Sequence, residues 1–152
     1  MNVGDVVVVS DQAAGTVDLY FLMTDGSKPP EEMITGLENY LRDNNIRPMT
    51  DLVRVAAPAE VEYSIDLTYY INRSDSNRAV DIQTAVAAAV GQYTAWQRAI
   101  GRDINPSKLG EMVMAAGAKR VEMAAPVHQI VGAKSVALLT GQAVRYGGLE
   151  DD

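Results

Sequence analysis

The sequence predicts an α+β protein of two small helix-on-antiparallel-sheet subdomains of the ferredoxin-like kind, ordered ββαβ and then βααββ. Three observations carry this. The segment from Asn77 to Ile100 places Ala79, Ile82, Val86, Ala89, Tyr93, Trp96 and Ile100 at steps of three and four, which puts all seven on one side of an α-helix. Such a rod is about 36 Å long at 1.5 Å per residue, and its apolar side suits a broad sheet as partner. The segment from Glu60 to Ile71 alternates, with Val61, Tyr63, Ile65, Leu67, Tyr69 and Ile71 on one face, as in a strand with one core face and one wet face. Two short runs, Val53 to Pro58 and Val121 to Pro126, each follow a helical segment and stop at a proline. They hint at two related halves, 1–58 and 59–152, with the long helix at 77–100 in the second.

The elements follow in order. Val6 to Val9 are all β-branched, so the first strand, Asp5 to Ser10, is expected to be covered on both faces. So abrupt a start suggests a piece of a longer protein. Val17, Leu19, Phe21 and Met23 alternate in the second strand, which should form a hairpin with the first. Ser27, the Pro29-Pro30 pair and Glu31-Glu32 read as a helix start, with Ser27 as cap. A strand from Leu52 to Ala57 follows. Asn72 to Asn77 offers polar caps for the long helix. Asn105 and Pro106 open a shorter helix to Ala116, with Gly117 placed to end it. Strands are expected at Lys119 to Ala125 and Ser135 to Tyr146, the latter broken at Gly141, and Gly147 to Asp152 reads as a frayed acidic end.

Composition sets limits. The chain has 152 residues, 47% of them hydrophobic and 22% charged, which is ordinary for a globular protein. The lack of cysteine removes disulfides and thiolate chemistry together. No run reaches the eighteen or so apolar residues of a membrane span, and no signal peptide opens the chain. A net charge of −7 argues against nucleic-acid binding, which needs clustered Lys and Arg. Charge is unevenly spread: Met1 to Asp66 carries twelve acids against four bases, while Leu67 to Leu149 carries nine bases against five acids. Either this asymmetry draws neighbouring subunits together, or it marks two solvated faces without a partner.

Residue chemistry gives no active site. His128 is the one imidazole and sits in a loop, away from any HExxH, GxSxG or acidic calcium pattern. Gly4, Gly15 and Gly26 are too scattered for a phosphate loop. The pairs Arg47 with Asp51 and Arg102 with Asp103 lie where a helix hands over to the next element. They could pin a partner chain, but exposed pairs contribute at most about 1 kcal/mol, so local ion pairing or capping of helix carbonyls is the first expectation. The tyrosines of the second half, Tyr70 and Tyr146 among them, form an amphipathic surface of the kind interfaces use. Arg47, Asp51, Arg102, Asp103, Arg120, Tyr70 and Tyr146 are therefore the partner-contact candidates. The alternative is a small-molecule-binding or acyl-phosphate-hydrolysing α+β domain, with a pocket near His128 or in the connection from Ile46 to Asp51.

Read as whole strings, several segments resemble one family. They are Gly15-Thr16-Val17-Asp18-Leu19-Tyr20, Ile46 to Asp51 running into Val53 to Pro58, the strand from Val61 to Ile71, Trp96-Gln97, Ile100 to Ser107, Ala116 to Val121, and Tyr146 to Glu150. In this order they resemble the C-terminal part of the phage baseplate J-like family, wedge components of contractile tails and related injection machines. The resemblance implies a structural subunit that pairs with other wedge and tail proteins, self-associates in its full-length form and links into a ring around the tail hub. It implies no catalysis, cofactor, metal, nucleic acid or membrane. Assembly in the bacterial cytoplasm and residence in the tail baseplate of a phage or prophage-encoded particle follow from the same likeness.

Overall fold

The computed structural model describes residues 3–11, 15–43 and 52–152. Ten elements follow one another: β1 (Val3–Asp11), β2 (Thr16–Met23), α1 (Glu31–Asp43), β3 (Leu52–Ala56), β4 (Ala59–Asn72), a 3-10 turn (Arg73–Arg78), α2 (Ala79–Gln97), α3 (Pro106–Ala115), β5 (Arg120–Ala125) and β6 (Ser135–Glu150). The fold is α+β in the expected order, with two three-stranded sheets, β1-β2-β3 and β5-β4-β6. The chain groups into two compact units. The first holds Met1–Glu60 with the short returns Ala99–Gly101 and Gly132–Val136; the second holds Val61–Arg98, Arg102–Val131 and Ala137–Asp152.

In the first unit β1 and β2 form the expected antiparallel hairpin, Val6 opposite Phe21 and Val8 opposite Leu19. The strand β3 instead runs parallel to β2, Val17 beside Val53 and Leu19 beside Val55, so the sheet is mixed rather than antiparallel. The cause is the helix between them: a crossover through α1 returns the chain to the same end of the sheet. Phe21, Val53 and Val55 form the buried centre, covered by Met33, Ile34, Leu37 and Leu41 of α1. Coverage stops short of the edge strand. Val6 and Val8 are 48% and 57% exposed, so the expectation that β1 is buried on both faces fails. Ser27 does not cap α1; its amide and hydroxyl both donate to Asp25 Oδ1, closing the preceding turn. The amides of Met33 and Ile34 donate to Pro30 O instead.

The second unit follows the sequence closely. Tyr63, Ile65, Leu67, Tyr69 and Ile71 of β4 are buried, and Ile82, Val86, Ala89, Val90 and Tyr93 of α2 lie buried on the helix side. Leu109 and Val113 of α3 complete the same core. The helix α2 is shorter than expected, because Asn72 Oδ1 accepts the Ser74 amide and caps the 3-10 turn, leaving α2 without a side-chain cap. Asn105 does cap α3, accepting from the Lys108 amide at 3.2 Å, with Pro106 in the first turn. Gly117 ends that helix at φ +121°, where a Cβ would also strike Ile82.

The strand β5 is antiparallel to β4. Along β6, Thr140 Oγ1 donates to Tyr63 O, Arg145 Nε donates to Thr68 Oγ1 and Gly147 lies under the Tyr70 ring, so partner numbers rise together and β6 runs in the direction of β4. This sheet is mixed as well. The strand β6 passes through Gly141 and continues to Glu150, where a frayed end was expected.

Candidate functional site

The candidate residues fall into separate local structures. Arg47 and Asp51 lie outside the described residues. Arg102 turns back on α2, where its guanidinium donates to Trp96 O and lies 4.3 Å from the centre of the Trp96 ring. Asp103 accepts the Val131 amide at 2.8 Å. Both therefore satisfy backbone groups near the α2–α3 connection, and neither pairs with the other. Beneath them lies a residue that the sequence reading missed. Gln97, fully buried, accepts from Tyr93 Oη at 2.8 Å and the Asn105 amide at 3.0 Å, and donates to Arg102 O at 3.3 Å and Asp103 O at 2.8 Å. Its bonds fix the connection, and burial raises the Tyr93 phenol well above its ordinary range. The available signal was its position four residues after Tyr93, in line with the buried stripe.

Arg120 and Tyr70 come together on the outer face of the second sheet. The Arg120 guanidinium stacks 3.9 Å from the centre of the Tyr70 ring, bonds Glu150 through two nitrogens at 2.7 Å each and reaches Glu122 at 2.6 Å. Gly147 lies against the same ring, where any Cβ would strike Tyr70. The bidentate pair holds the Glu150 carboxyl below the usual carboxylate range. Other cations of this unit are similarly engaged: Arg73 with Asp151, Arg78 with Asp75, Lys108 with Glu111, and Arg145 with Asp66. These bases thus meet acids of their own unit.

Tyr146 sits elsewhere. Alternation sends it to the helix-facing side with Tyr69, ring centres 5.6 Å apart. There α2 does not roof β6, and a groove of about 520 Å³ opens with Val86, Val90 and Val144 on its floor, flanked by Tyr69, Ala87 and Tyr146. No charged side chain lines it.

A loop of the same unit, residues 126–131, presents the opposite shape. Val127 and Ile130 are 70% and 75% exposed. The loop backbone is nevertheless fixed: Ile104 and Gln129 exchange backbone hydrogen bonds at 2.9 and 3.3 Å, and the Val131 amide rests on Asp103. His128 stands exposed on it.

A second cavity, of about 500 Å³ in the first unit, is lined by Asp18, Tyr20, Glu38, Arg54 and Lys134. Its charged groups are turned on the protein itself: Arg54 bonds Asp18 at 2.7 and 3.0 Å, Glu38 accepts the Val55 amide at 3.1 Å, and Lys134 stands 5.9 Å from the Tyr20 ring centre. Among the described residues no group of three or more His, Cys, Asp or Glu could hold a metal ion. No described helix is long and apolar enough to cross a membrane.

Comparison with known proteins matches the chain in two consecutive pieces. Residues 1–57 match the Baseplate J-like central domain, and residues 63–145 match the Baseplate J-like protein C-terminal domain. Baseplate protein J of Escherichia phage P2 is 28% identical over 151 residues, covering 99% of this chain and 49% of that protein, so the chain spans about half the length of this relative. The second piece alone exceeds half of the chain and contains most of β4 and all of α2, α3 and β5, the same core that buries the long amphipathic helix on its sheet. By that match, this chain belongs to the Baseplate J-like family.

Proposed function

We propose that this chain is a structural part of the contractile-tail baseplate of a phage or prophage-encoded particle, acting as the C-terminal region of a wedge subunit. Its work is to bind other tail proteins and catalyse nothing. The observation that carries this reading is the continuous likeness to the P2 baseplate protein along 99% of the chain. The surfaces agree with it: several bases of the second unit pair with acids of that unit, while an apolar groove and an apolar loop stand open beside them. Binding through packed apolar and aromatic groups is how stable protein interfaces obtain most of their energy.

Of the candidate contacts, Tyr146 on the rim of the α2–β6 groove is the one we retain as a partner contact. Arg102 and Arg120 act within the chain, so Arg102→Glu and Arg120→Glu should lower stability rather than block assembly selectively. The test is light scattering of the chain alone and mixed with the tail proteins encoded beside it. A defined complex with one of them is expected. Failure to bind any of them, together with a ligand-dependent melting shift abolished by His128→Ala, would overturn the assembly role.

A further inference from the structure

The edges of the two sheets are not alike. Natural sheets blunt an edge with charge, proline, short length or a covering side chain, because its unpaired backbone groups are a template for a further strand. The edge strand β3 has five residues, and Glu38 of α1 accepts the amide of Val55 at 3.1 Å. In β5, Arg120 and Glu122 interrupt a six-residue run that stops before Pro126. The strand β6 carries Arg145 and passes through Gly148 at φ +115°. Such devices are missing from the middle of β1: Val6 to Ser10 are four valines and a serine, without charge, proline or glycine. This strand ends its sheet, with β2 as its one strand partner among the described residues. Alternate backbone groups of the run therefore point away from β2 with no strand to meet them. Val6 and Val8 lie opposite Phe21 and Leu19, on the α1 side, yet stay 48% and 57% exposed because α1 packs over β3.

We propose that β1 takes a further strand from another tail protein, an extended segment with apolar side chains on one face and lysine or arginine on the other. Incoming side chains on the α1 side lie beside Val6 and Val8 and continue the apolar floor of the sheet; those on the opposite face come beside Asp5. Asp5 gives one oxygen to the Ile100 amide at 2.7 Å, while the nearby bases Lys28 and Arg54 are engaged by Glu60 and Asp18. Asp11 closes the other end of the strand, and Met1 to Asp66 hold twelve acids against four bases. Charge complementarity therefore selects a basic strand. It also disfavours the β1 of a second copy, since two such edges would bring acids together. In this mode of recognition the main-chain hydrogen bonds supply affinity and the alternating side chains supply choice of partner. The proposal rests on the assembly reading and gives the chemistry of one partner for it.

The probe is a fluorescein-labelled peptide, Lys-Val-Lys-Val-Thr-Val-Lys-Val-Lys, read by fluorescence anisotropy against the full chain, with a control peptide in which glutamate replaces every lysine. The basic peptide should bind, more weakly as salt rises, and should slow hydrogen exchange at β1 amides; the acidic one should not bind. Val8→Lys, at an exposed position, should weaken binding by about tenfold or more, with Val6→Lys as the second variant should the first lower the melting temperature. Asp5→Asn keeps an oxygen for the Ile100 amide and should weaken binding by about two- to fivefold. No binding of the basic peptide, equal binding of the two peptides, binding that Val8→Lys leaves unchanged, or protection gained only outside β1 overturns the proposal. Dimerisation of the chain through β1 with no peptide bound overturns it as well. A neighbouring tail protein that binds the unaltered chain and Val8→Lys equally well overturns this edge as the contact and leaves the assembly role standing. Peptide binding at β1 in a chain that binds no tail protein has the reverse meaning.

Discussion

Each unit lays helix on a mixed three-stranded sheet, but they are closed by different means. The second builds its core from one long strand and one long helix, with buried residues at nearly every inward position of β4 and α2. The first has Phe21, Val53 and Val55 at the centre of its cluster, leaves Val6 and Val8 of its edge strand exposed, and includes two short returns from far along the chain. Those returns bond directly: the Ile100 amide donates to Asp5 at 2.7 Å and the Ala59 amide to Lys134 O at 3.1 Å. A small apolar core gives little surplus over chain entropy, so distant segments matter more to it.

The harshest way to break this comparison is to cut the chain. We propose residues 1–58 and 59–152 as its domains, and the difference in closure predicts unequal fates. Residues 59–152 alone should melt cooperatively with protected amides in β4 and α2. Residues 1–58 alone lack both returns and should show no cooperative melt. Circular dichroism and hydrogen exchange on the two pieces decide the matter, and a 1–58 piece as stable as its counterpart would refute the asymmetry.

Within the intact chain, Leu67→Ala should destabilise the second unit by about 2–5 kcal/mol, and Gln97→Ala by about 3 kcal/mol, because it strands the Tyr93 hydroxyl and the Asn105 amide in the core. Phe21→Ala should remove about 3–5 kcal/mol from the first unit while amides of β4 keep their protection. Loss of protection in both units from either change would mean that they unfold as one.

Much of the second unit was legible in the sequence because its signals were long and periodic. The stripe on α2, the alternation of β4 and the Asn105-Pro106 helix start all correspond to structure, since repeated apolar spacing has one good burial solution. Signals of a single residue fared worse. As a helix cap the Ser27 hydroxyl would accept a backbone amide; instead it donates, with its own amide, to Asp25, whose carboxylate closes the turn, and the serine alone does not tell which. Four consecutive valines suggested a strand covered on both faces, but burial depends on where α1 lies, which β-propensity does not encode. Arg120 was legible as a candidate contact; its acid partner, thirty residues away at Glu150, was not, because pairing across strands needs the sheet order. The groove at Tyr146 likewise depends on α2 leaving β6 uncovered.

A smaller effect tests that outer stack. Gly147→Ala would drive a methyl group into the Tyr70 ring and should cost about 1–2 kcal/mol in the second unit. With Tyr70→Ala already present, the same change should cost close to nothing, and the double-mutant cycle measures the coupling. Additive effects would show that ring and glycine do not press on each other.

The mildest perturbation is acid, and it separates the units by the reach of their carboxylates. Among the described residues, two carboxyl groups titrate below the usual range: Glu150 chiefly through its hydrogen bonds to Arg120, and Asp25 chiefly through Ser27. In each case the folded form binds the proton less tightly than the unfolded chain. The stabilisation is therefore complete above the ordinary carboxylate pKa, near 4, and is lost as pH falls through the lower folded value. Asp25 and Ser27 are two residues apart, so protonation there loosens only a turn. Glu150 ties the end of β6 to β5, so its protonation should free the last residues of the strand. Below pH 4, amide exchange should rise from Gly147 to Glu150 while the β2 amides hold. Arg120→Gln should return Glu150 to an ordinary titration and abolish that acid-dependent step, leaving Asp25 where it was. A Glu150 titration unmoved by this change would mean that the guanidinium pair does not hold the strand end.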